Sequence, residues 1–344
     1  MSVLQVNNIT DTGGSTLLGR RNAIINGNFD VWQRGTSFTA SGGEFTADRW
    51  DTLNSGTTSF TASQQLFTVG QTDVPHNPKY YHRNAVTTGG AAGDRYALWY
   101  KVEGVSTFAG ETVTLSFYAK ADASKNIAVE FVQSFGSGGS PSTVVTGISV
   151  TTVALTTSWA KYTVTADIPS ITGKTLGTDG NDSLAFAIWL DAGSTYNART
   201  NSLGNQSGTF EFAQVQLEAG SVATPFERRS VGEELALCQR YYQRSTLDPA
   251  AAFTYGQSQS VTAMNIANAS WVIGTVPCPV TMRATPTDTH YGSTGVAGTV
   301  YVNGVGDVTV GVAFSSNGNC SGFKSSAFTG GTGVQMTYEL DAEL

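Results

Sequence analysis

Two stretches bracket the first two thirds of the 344-residue chain: NGNFDVWQRG at residues 26–35 and FEFAQVQLEAG at residues 210–220. We interpret the first as the opening strand of a β-sandwich and the second as its closing strand. Between them apolar and polar residues alternate with the two-residue period of strands, and Gly, Ser and Thr interrupt the pattern. The two stretches therefore predict a β-sandwich, of jelly-roll type, over residues 21–228.

The alternation also predicts which side chains face the core of this sandwich. The predicted core positions are Tyr96, Leu98, Tyr100, Val102, Leu115, Phe117, Ala119, Ile127, Val129, Phe131, Leu184, Phe186, Ile188 and Leu190. The positions of opposite parity that we single out are Trp99, Lys101, Tyr118, Lys120, Glu130, Trp189 and Asp191. If their strands lie side by side, the second set forms an aromatic platform with polar rims. Such a platform could stack on a sugar ring and bond its hydroxyl groups.

An alternative explanation of the same pattern is structural. Large aromatic side chains on the second face of a sandwich are often buried against loops or against a neighbouring subunit. We expect Trp32, Trp50 and Trp159 to be structural residues in any case.

Composition excludes several classes of protein. The net charge of −7 and the pI of about 5.0 leave no basic surface for a phosphate backbone, so we expect no nucleic-acid binding. No run of 18 apolar residues occurs, so we expect no membrane insertion. We also expect no secretion signal, because no apolar segment follows a basic amino terminus. Three widely spaced cysteines fit neither a disulfide framework nor a zinc site.

The rest of the chain divides into three further predicted segments. Residues 1–20 form an extended amino-terminal arm that could complete the sheet of another subunit, or fold back on its own domain. Residues 229–245 contain a helix, Val231–Arg244, with Ser230 as its N-cap and Glu233 completing a capping box. Residues 246–344 alternate again and predict a second β-sandwich. The predicted fold class is thus all-β, with two sandwiches joined by one short helix.

The predicted helix carries a one-sided stripe of Val231, Leu235, Cys238 and Tyr242. A helix of this length is marginal in water, so the stripe must pack on something. Three copies of the helix around an axis would bury it and make the protein a homotrimer. The alternative is a helix that lies across a sandwich of its own chain.

Several motifs resemble those of bacteriophage tail-fibre and related virion fibre proteins. They are VNNITD (6–11), NGNFDVWQRG (26–35), FTADRW (45–50), ATPFE (223–227), CQRYY (238–242) and VTMRATP (280–286). The opening NGNF, the WAKYT segment (159–163) and the closing VQLEAG (215–220) also look like those of carbohydrate-binding jelly-roll modules.

The resemblance implies a homotrimeric fibre of a phage particle that recognises a polysaccharide on the host cell surface. Residues 1–20 would bind other virion proteins, and the protein would be located in the virion and released by lysis. The alternative role is a purely structural collar, neck or head fibre without receptor binding.

The resemblance also implies a structural calcium site, with one departure. Relatives use an acidic residue of the opening motif and an Asp pair in the closing strand, whereas Ala213 and Gln214 occupy the positions of that pair here. A calcium ion would then depend on Asp30, Glu211 and backbone carbonyls. We expect no other cofactor.

We expect no enzymatic activity. Fibre proteins that cleave polysaccharides place paired carboxylates on long β-helices, and this chain has no repeats of that kind. The histidines His76, His82 and His290 lack the spacing of a catalytic triad or a metal site.

Overall fold

A computed structural model describes residues 21–39, 43–245 and, within 259–344, the segments 259–261, 263–266, 270–273, 276–294, 296–302, 306–309, 312–316, 319–326 and 334–344. These residues form antiparallel sheets with little helix, which confirms the predicted all-β sandwich fold. The predicted arm, residues 1–20, lies outside the described residues. In the described part of the chain no helix has both the length and the apolar character needed to cross a bilayer.

The first unit is a sandwich of two antiparallel sheets. Its strands are β1 (Ser37–Phe38), β2 (Trp50–Ser55), β3 (Ser59–Leu66), β4 (Tyr80–Thr87), β5 (Arg95–Glu103), β6 (Thr112–Ala121), β7 (Lys125–Ser134), β8 (Val145–Leu155), β9 (Ala160–Asp167), β10 (Ser183–Ala192) and β11 (Gly208–Ala219). The order in one sheet, here called the β11 sheet, is β1-β3-β4-β11-β6-β9. The order in the other, the β10 sheet, is β2-β5-β10-β7-β8. A 3₁₀ turn, Ser194–Tyr196, and helix α1, Asn197–Thr200, connect β10 to β11.

The core lies between these two sheets. Every predicted core position on β5, β6, β7 and β10 is buried and belongs to one apolar cluster, so the two-residue alternation assigned the inward faces correctly. Trp50 fills the centre, with its ring 4.9 Å from those of Phe29 and Tyr100. Trp32 is also buried, with its ring stacked on His82 at 5.1 Å, as predicted for a structural residue.

The two bracketing stretches differ in structure. Residues 210–220 form β11 as predicted, but this strand lies in the middle of its sheet, between β4 and β6. Residues 26–35 were predicted to be a strand, and that prediction is wrong: residues 25–28 form a turn in which Asn26 has φ 59° and Phe29, which follows, has φ 56°. Left-handed backbone of this kind cannot continue a strand.

The opening turn docks into an irregularity of β11. The register between β11 and β6 shifts between Ala213 and Gln216, and Gln214 there has φ 49°, which marks a β-bulge. The Val215 amide donates to the Gly27 carbonyl at 2.8 Å. A Cβ atom added at Gly27 would overlap the carbonyl oxygen of Val215, so the approach of the two backbones requires glycine.

The close approach predicts the effect of one methyl group. Gly27→Ala should lower the free energy of unfolding by at least about 2 kcal/mol, because neither backbone can move without breaking the docking. Gly232→Ala is the matched control: its added Cβ meets no atom within 4 Å, and in a helix the change should stabilise by about 0.5–1 kcal/mol. The measurement is urea unfolding of both variants. Equal midpoints for Gly27→Ala and the parent protein would contradict the docking.

A chain of polar side chains crosses the buried interior beneath β4. The Tyr96 hydroxyl donates to Asn84 Oδ1 at 2.8 Å, and Asn84 Nδ2 lies 3.1 Å from His82 Nδ1. His82 Nε2 lies 3.0 Å from Thr46 Oγ1, whose hydroxyl donates to the Trp50 carbonyl. These partners assign the proton to Nε2 and leave Nδ1 as an acceptor. Burial lowers the pKa of His82 to about 3.

The lowered pKa predicts a pH dependence of stability. Because the folded-state pKa lies below the ordinary value of about 6.5, the unfolded chain takes up the proton first. Stability is therefore complete above about pH 6.5 and falls as the pH drops toward 3, by up to about 1.4 kcal/mol per pH unit. His82→Gln, which can keep both neighbours, should lose this component. We would measure the free energy of unfolding of both proteins from pH 7 to 4 and take the difference, in which the contributions of the shared carboxyl groups cancel. A difference that does not change with pH would contradict the assignment.

Helix α2, Val231–Gln239, begins as predicted and ends earlier than predicted. The Ser230 side chain accepts from the Glu233 amide, which confirms the N-cap. The predicted last turn is instead strand β12, Tyr242–Arg244, which pairs with the final strand of the chain.

The predicted trimer stripe is therefore not a free helical face. Cys238 and Tyr242 are already buried within their own chain, and Tyr242 is not on the helix. Leu235 is half-buried, and the Val231 side chain remains 64% exposed. Within one chain the structure matches the alternative, a helix packed on its own sandwich.

The carboxyl-terminal residues form two further antiparallel sheets. Their strands, besides β12, are β13 (Gln259–Val261), β14 (Ala263–Ile266), β15 (Ser270–Ile273), β16 (Val276–Pro277), β17 (Thr287–Tyr291), β18 (Thr299–Val302), β19 (Gly306–Thr309), β20 (Val312–Ser316), β21 (Asn319–Ser326) and β22 (Val334–Asp341). One sheet has the order β12-β22-β18-β19, with β13 and β17 also pairing with β22. The other has the order β14-β15-β21-β16, with β20 also pairing with β21.

The end of the chain is bound to the first sandwich by buried ion pairs. Glu343 accepts from Arg49, which is 2% exposed, and from Arg34 at 3.4 Å. The two guanidinium groups also lie over the rings of Tyr241, at 3.5 Å, and Tyr242, at 3.6 Å. Buried Arg49 and partly buried Arg34 thus share one carboxylate that comes from the other end of the chain.

Candidate functional site

The predicted aromatic platform is divided between the two sheets. Trp99 and Lys101 on β5, Glu130 on β7, and Trp189 and Asp191 on β10 belong to the β10 sheet. Tyr118 and Lys120 on β6 belong to the β11 sheet, on the opposite side of the sandwich. Six of the seven residues face outward from their sheets, while a bulge in β10 between Trp189 and Asp191 places Asp191 on the side of buried Tyr96. The seven therefore do not form one surface.

Most of the β10-sheet residues serve the structure. Glu130 is fully buried and accepts from Trp189 Nε1 at 3.1 Å, Arg199 Nε at 2.9 Å and the Gly147 amide at 2.8 Å. The segment from Ser194 to Thr200 carries Arg199 over the sheet and covers Trp189, which is 0% exposed. This is the structural alternative considered for the pattern, and it applies to both residues.

The other three residues of this sheet are also occupied. Buried Asp191 accepts from Thr58 Oγ1 at 2.6 Å and from the Gln206 amide at 2.9 Å. Lys101 Nζ donates to the Leu344 carbonyl. Half-buried Trp99 packs at the edge of the apolar cluster around Trp189. The structure therefore contradicts the predicted sugar-binding surface for Glu130, Trp189 and Asp191, which are fully buried.

The outer face of the β11 sheet carries a cross-strand ion cluster. Arg83 on β4, Glu211 on β11 and Lys120 on β6 lie in one register row, directly opposite one another. Arg83 Nη2 is 2.6 Å and Lys120 Nζ is 3.0 Å from the Glu211 carboxylate. Both cations keep about a third of their side-chain surface exposed, while Glu211 keeps 6%. The row thus presents positive charge to solvent above a buried anion.

Beside this row lie three half-buried rings, Phe67, Tyr81 and Trp159, which we call the aromatic patch. The centroid of Trp159 is 5.2 Å from that of Phe67 and 5.4 Å from that of Tyr81, and Phe67 is 4.8 Å from Tyr81. Lys120 Nζ lies 5.5 Å from the Trp159 centroid. The arrangement combines aromatic faces for apolar C–H surfaces with cationic donors for hydroxyl or carboxylate oxygens.

Trp159, which was predicted to be structural, lies half-buried in this patch on the outer face of the sheet. The missed signal is its parity. Trp159 shares the parity of Lys161, Thr163 and Thr165, which lie outward on β9, while Val164 and Ala166 point into the core. Tyr81 and Arg83 share a similar outward parity on β4 opposite buried His82 and Asn84.

The two carboxylates considered for calcium already have polar partners in the structure. Glu211 is paired with Arg83 and Lys120, as described. The burial of Asp30 raises the pKa of its carboxyl, against the effects of a hydrogen bond from Asn28 and of nearby Arg228 and Lys79. Within the described residues no group of three or more His, Cys, Asp or Glu side chains is placed to hold a metal ion. Carboxylates already neutralised by cations are poor ligands for Ca²⁺.

Of the comparisons with known proteins, only the one with solved structures finds similarity to this chain. No protein-family model and no curated protein matches the chain. A family 11 carbohydrate-binding module of a Clostridium thermocellum cellulosomal cellulase is 12% identical, with a TM-score of 0.30, over 54% of this chain and 99% of the module. The amino-terminal cellulose-binding domain of Cellulomonas fimi β-1,4-glucanase C is 18% identical, with a TM-score of 0.29, over 48% and 90%.

The enzymatically active domain of bacteriophage CBA120 tailspike protein 4 also matches. It is 9% identical, with a TM-score of 0.32, over 58% of this chain and 21% of that one. At such scores these likenesses carry no conclusion about what this chain binds.

Proposed function

We propose that the chain binds a glycan through the outer face of the β11 sheet, with the aromatic patch as its centre. The supporting observation is that Trp159 and Tyr81 stay half-exposed beside Lys120 and Arg83, while Glu130 and Trp189 on the outer face of the β10 sheet are buried. Aromatic rings are costly to leave in water, and a ring cluster bordered by cations suits the alternating apolar and hydroxyl surfaces of a sugar.

We further propose that the chain is a fibre component of a phage particle that attaches to a host-surface polysaccharide. This part rests on the tail-fibre motifs, of which ATPFE ends three residues before the N-cap of the helix and CQRYY runs from the helix into β12. We propose binding without catalysis, because Glu211, the carboxylate in the centre of the face, is held between two cations rather than beside a second acid.

The glycan-binding proposal predicts opposite outcomes for two tryptophan variants. Trp159→Ala should weaken binding at least about tenfold, or about 1.4 kcal/mol, because the patch loses its largest ring. Trp99→Ala is the matched control, since Trp99 is also half-buried on an outer face but lies on the β10 sheet. Binding would be found on a glycan microarray and quantified by calorimetry with the strongest ligand.

The same two variants, Trp159→Ala and Trp99→Ala, distinguish a glycan-binding role from a purely structural role. Lost glycan binding in Trp159→Ala, with normal incorporation into particles, supports recognition. Particles that fail to assemble with Trp159→Ala would support the purely structural role instead. Equal affinities of the two variants would remove the aromatic patch from the binding site.

The proposed fibre is a homotrimer, and this is a separate prediction. Light scattering should give the mass of three 36.1 kDa chains. Because Val231 is the exposed member of the predicted stripe, Val231→Lys should weaken the association while Gly232→Ala should not. A mass of one chain for the parent protein at micromolar concentration would refute the trimer in solution.

A further inference from the structure

A cavity of about 320 Å³ opens on the same outer face as the aromatic patch. Tyr118 and Lys161, which are directly paired between β6 and β9, form one side of it. Pro75 and His76 from the loop before β4, and Ala223 and Phe226 from the segment after β11, form the other sides. This volume is enough for one hexose with a substituent. Neither the fold nor the aromatic patch accounts for the presence of this cavity.

Gln214 forms part of the lining of this cavity. Its side chain belongs to a residue that is 3% exposed, and its Nε2 donates to the Pro75 carbonyl at 2.7 Å. That bond assigns the amide orientation, because a flipped amide would bring two oxygens together. Its Oε1 has no hydrogen-bond partner in the described part of the chain. A buried carbonyl oxygen without a partner is unfavourable, so the position is suited to a donor from a ligand.

The position of Gln214 is also unusual in its backbone. It occupies the β-bulge with φ 49°, and His76, across the cavity, has φ 66°. Left-handed backbone is uncommon in residues other than glycine and is concentrated at binding and catalytic sites. Here it turns the Gln214 side chain outward, away from the core that Val215 enters.

Apart from His76, the other groups of the cavity that bear on a ligand are of two kinds. Tyr118, Phe226, Pro75 and Ala223 supply apolar and aromatic surface. Lys161 supplies a cation at the edge, whose Nζ donates to the Thr224 carbonyl at 2.9 Å and keeps two further N–H groups. The cavity thus offers an acceptor and a donor separated by apolar walls.

We propose that this cavity binds the acetamido group of an N-acetylated amino sugar. The acetamido N–H would donate to Gln214 Oε1, its carbonyl would accept from Lys161 Nζ, and its methyl group would pack on Phe226 and Ala223. The inference rests on the proposed glycan binding and names the substrate class. A plain hexose would leave either the Gln214 Oε1 acceptor or the apolar walls without a partner. A site whose buried polar group is left unpaired by one ligand discriminates strongly against that ligand.

The location of the cavity suits a sugar next to the one on the aromatic patch. Tyr118 is two residues from Lys120 along β6, a distance of about 7 Å. Since Lys120 lies over Trp159, the cavity and the patch are separated by about the length of one sugar unit. An oligosaccharide could therefore occupy both.

The test compares three pairs of methyl glycosides by ligand-observed NMR titration. The pairs are N-acetylglucosamine and glucose, N-acetylgalactosamine and galactose, and N-acetylmannosamine and mannose. We expect at least one acetamido sugar to bind at least tenfold more tightly than its parent hexose. Gln214→Leu should abolish that preference, and Ala223→Phe, which fills the cavity while leaving its hydrogen bonds in place, should do the same. Gln206→Leu is the control, because Gln206 is half-buried in the loop before β11, donates from its side chain to the Asn126 carbonyl at 2.6 Å, and does not line the cavity.

The outcomes separate this inference from the function on which it rests. Binding that needs Trp159 but shows no acetamido preference would overturn the inference and leave glycan binding intact. A preference that survives both Gln214→Leu and Ala223→Phe would also overturn it. A parent protein that binds none of the six sugars and no glycan on the array would overturn both.

Discussion

The sandwich depends on one backbone contact, the bond from the Val215 amide to the Gly27 carbonyl. It brings the start of the described chain against the centre of β11, where the absence of a side chain at Gly27 allows the two backbones to meet. This contact buries Asn26 away from solvent, so all of its polar groups need hydrogen-bond partners within the protein. Its amide donates to Glu234 of α2, its Nδ2 to the carbonyls of Val31 and Asp48, and its carbonyl accepts from Trp50 Nε1. One turn thereby holds the helix and the loop before β2, and fixes the central tryptophan.

This constraint explains why the sequence predicted the sandwich more successfully than its opening. Two-residue alternation is a local property, and it identified the inward faces of β5, β6, β7 and β10. The turn at Asn26 and Phe29 depends on bonds to residues far along the chain, which a local pattern does not contain. The helix is a parallel case. Its cap at Ser230 is local and was predicted, whereas its end depends on Tyr242–Arg244 pairing with β22.

The same limit explains the division of the predicted site. Parity tells whether a side chain points inward or outward, but it does not tell to which sheet its strand belongs. Tyr118 and Trp189 have equivalent patterns and lie on opposite sides of the sandwich. What distinguishes the two faces is the connection between β10 and β11, which carries Arg199 onto Glu130 and covers one of them. A buried carboxylate needs such a partner, so the cover follows from Glu130, and the face without it is the one left for a ligand.

The bulge in β11 connects this open face to the contact that organises the core. An extra residue in a strand must place one side chain out of sequence with its neighbours. On the inner side the bulge lets Val215 bond to Gly27, and on the outer side it presents Gln214 to the cavity beside Tyr118. The unfavourable backbone of Gln214 is thus maintained by packing on the opposite side of the sheet. A binding residue supported in this way is held in place before any ligand arrives, because moving it would require the opening turn to leave the core.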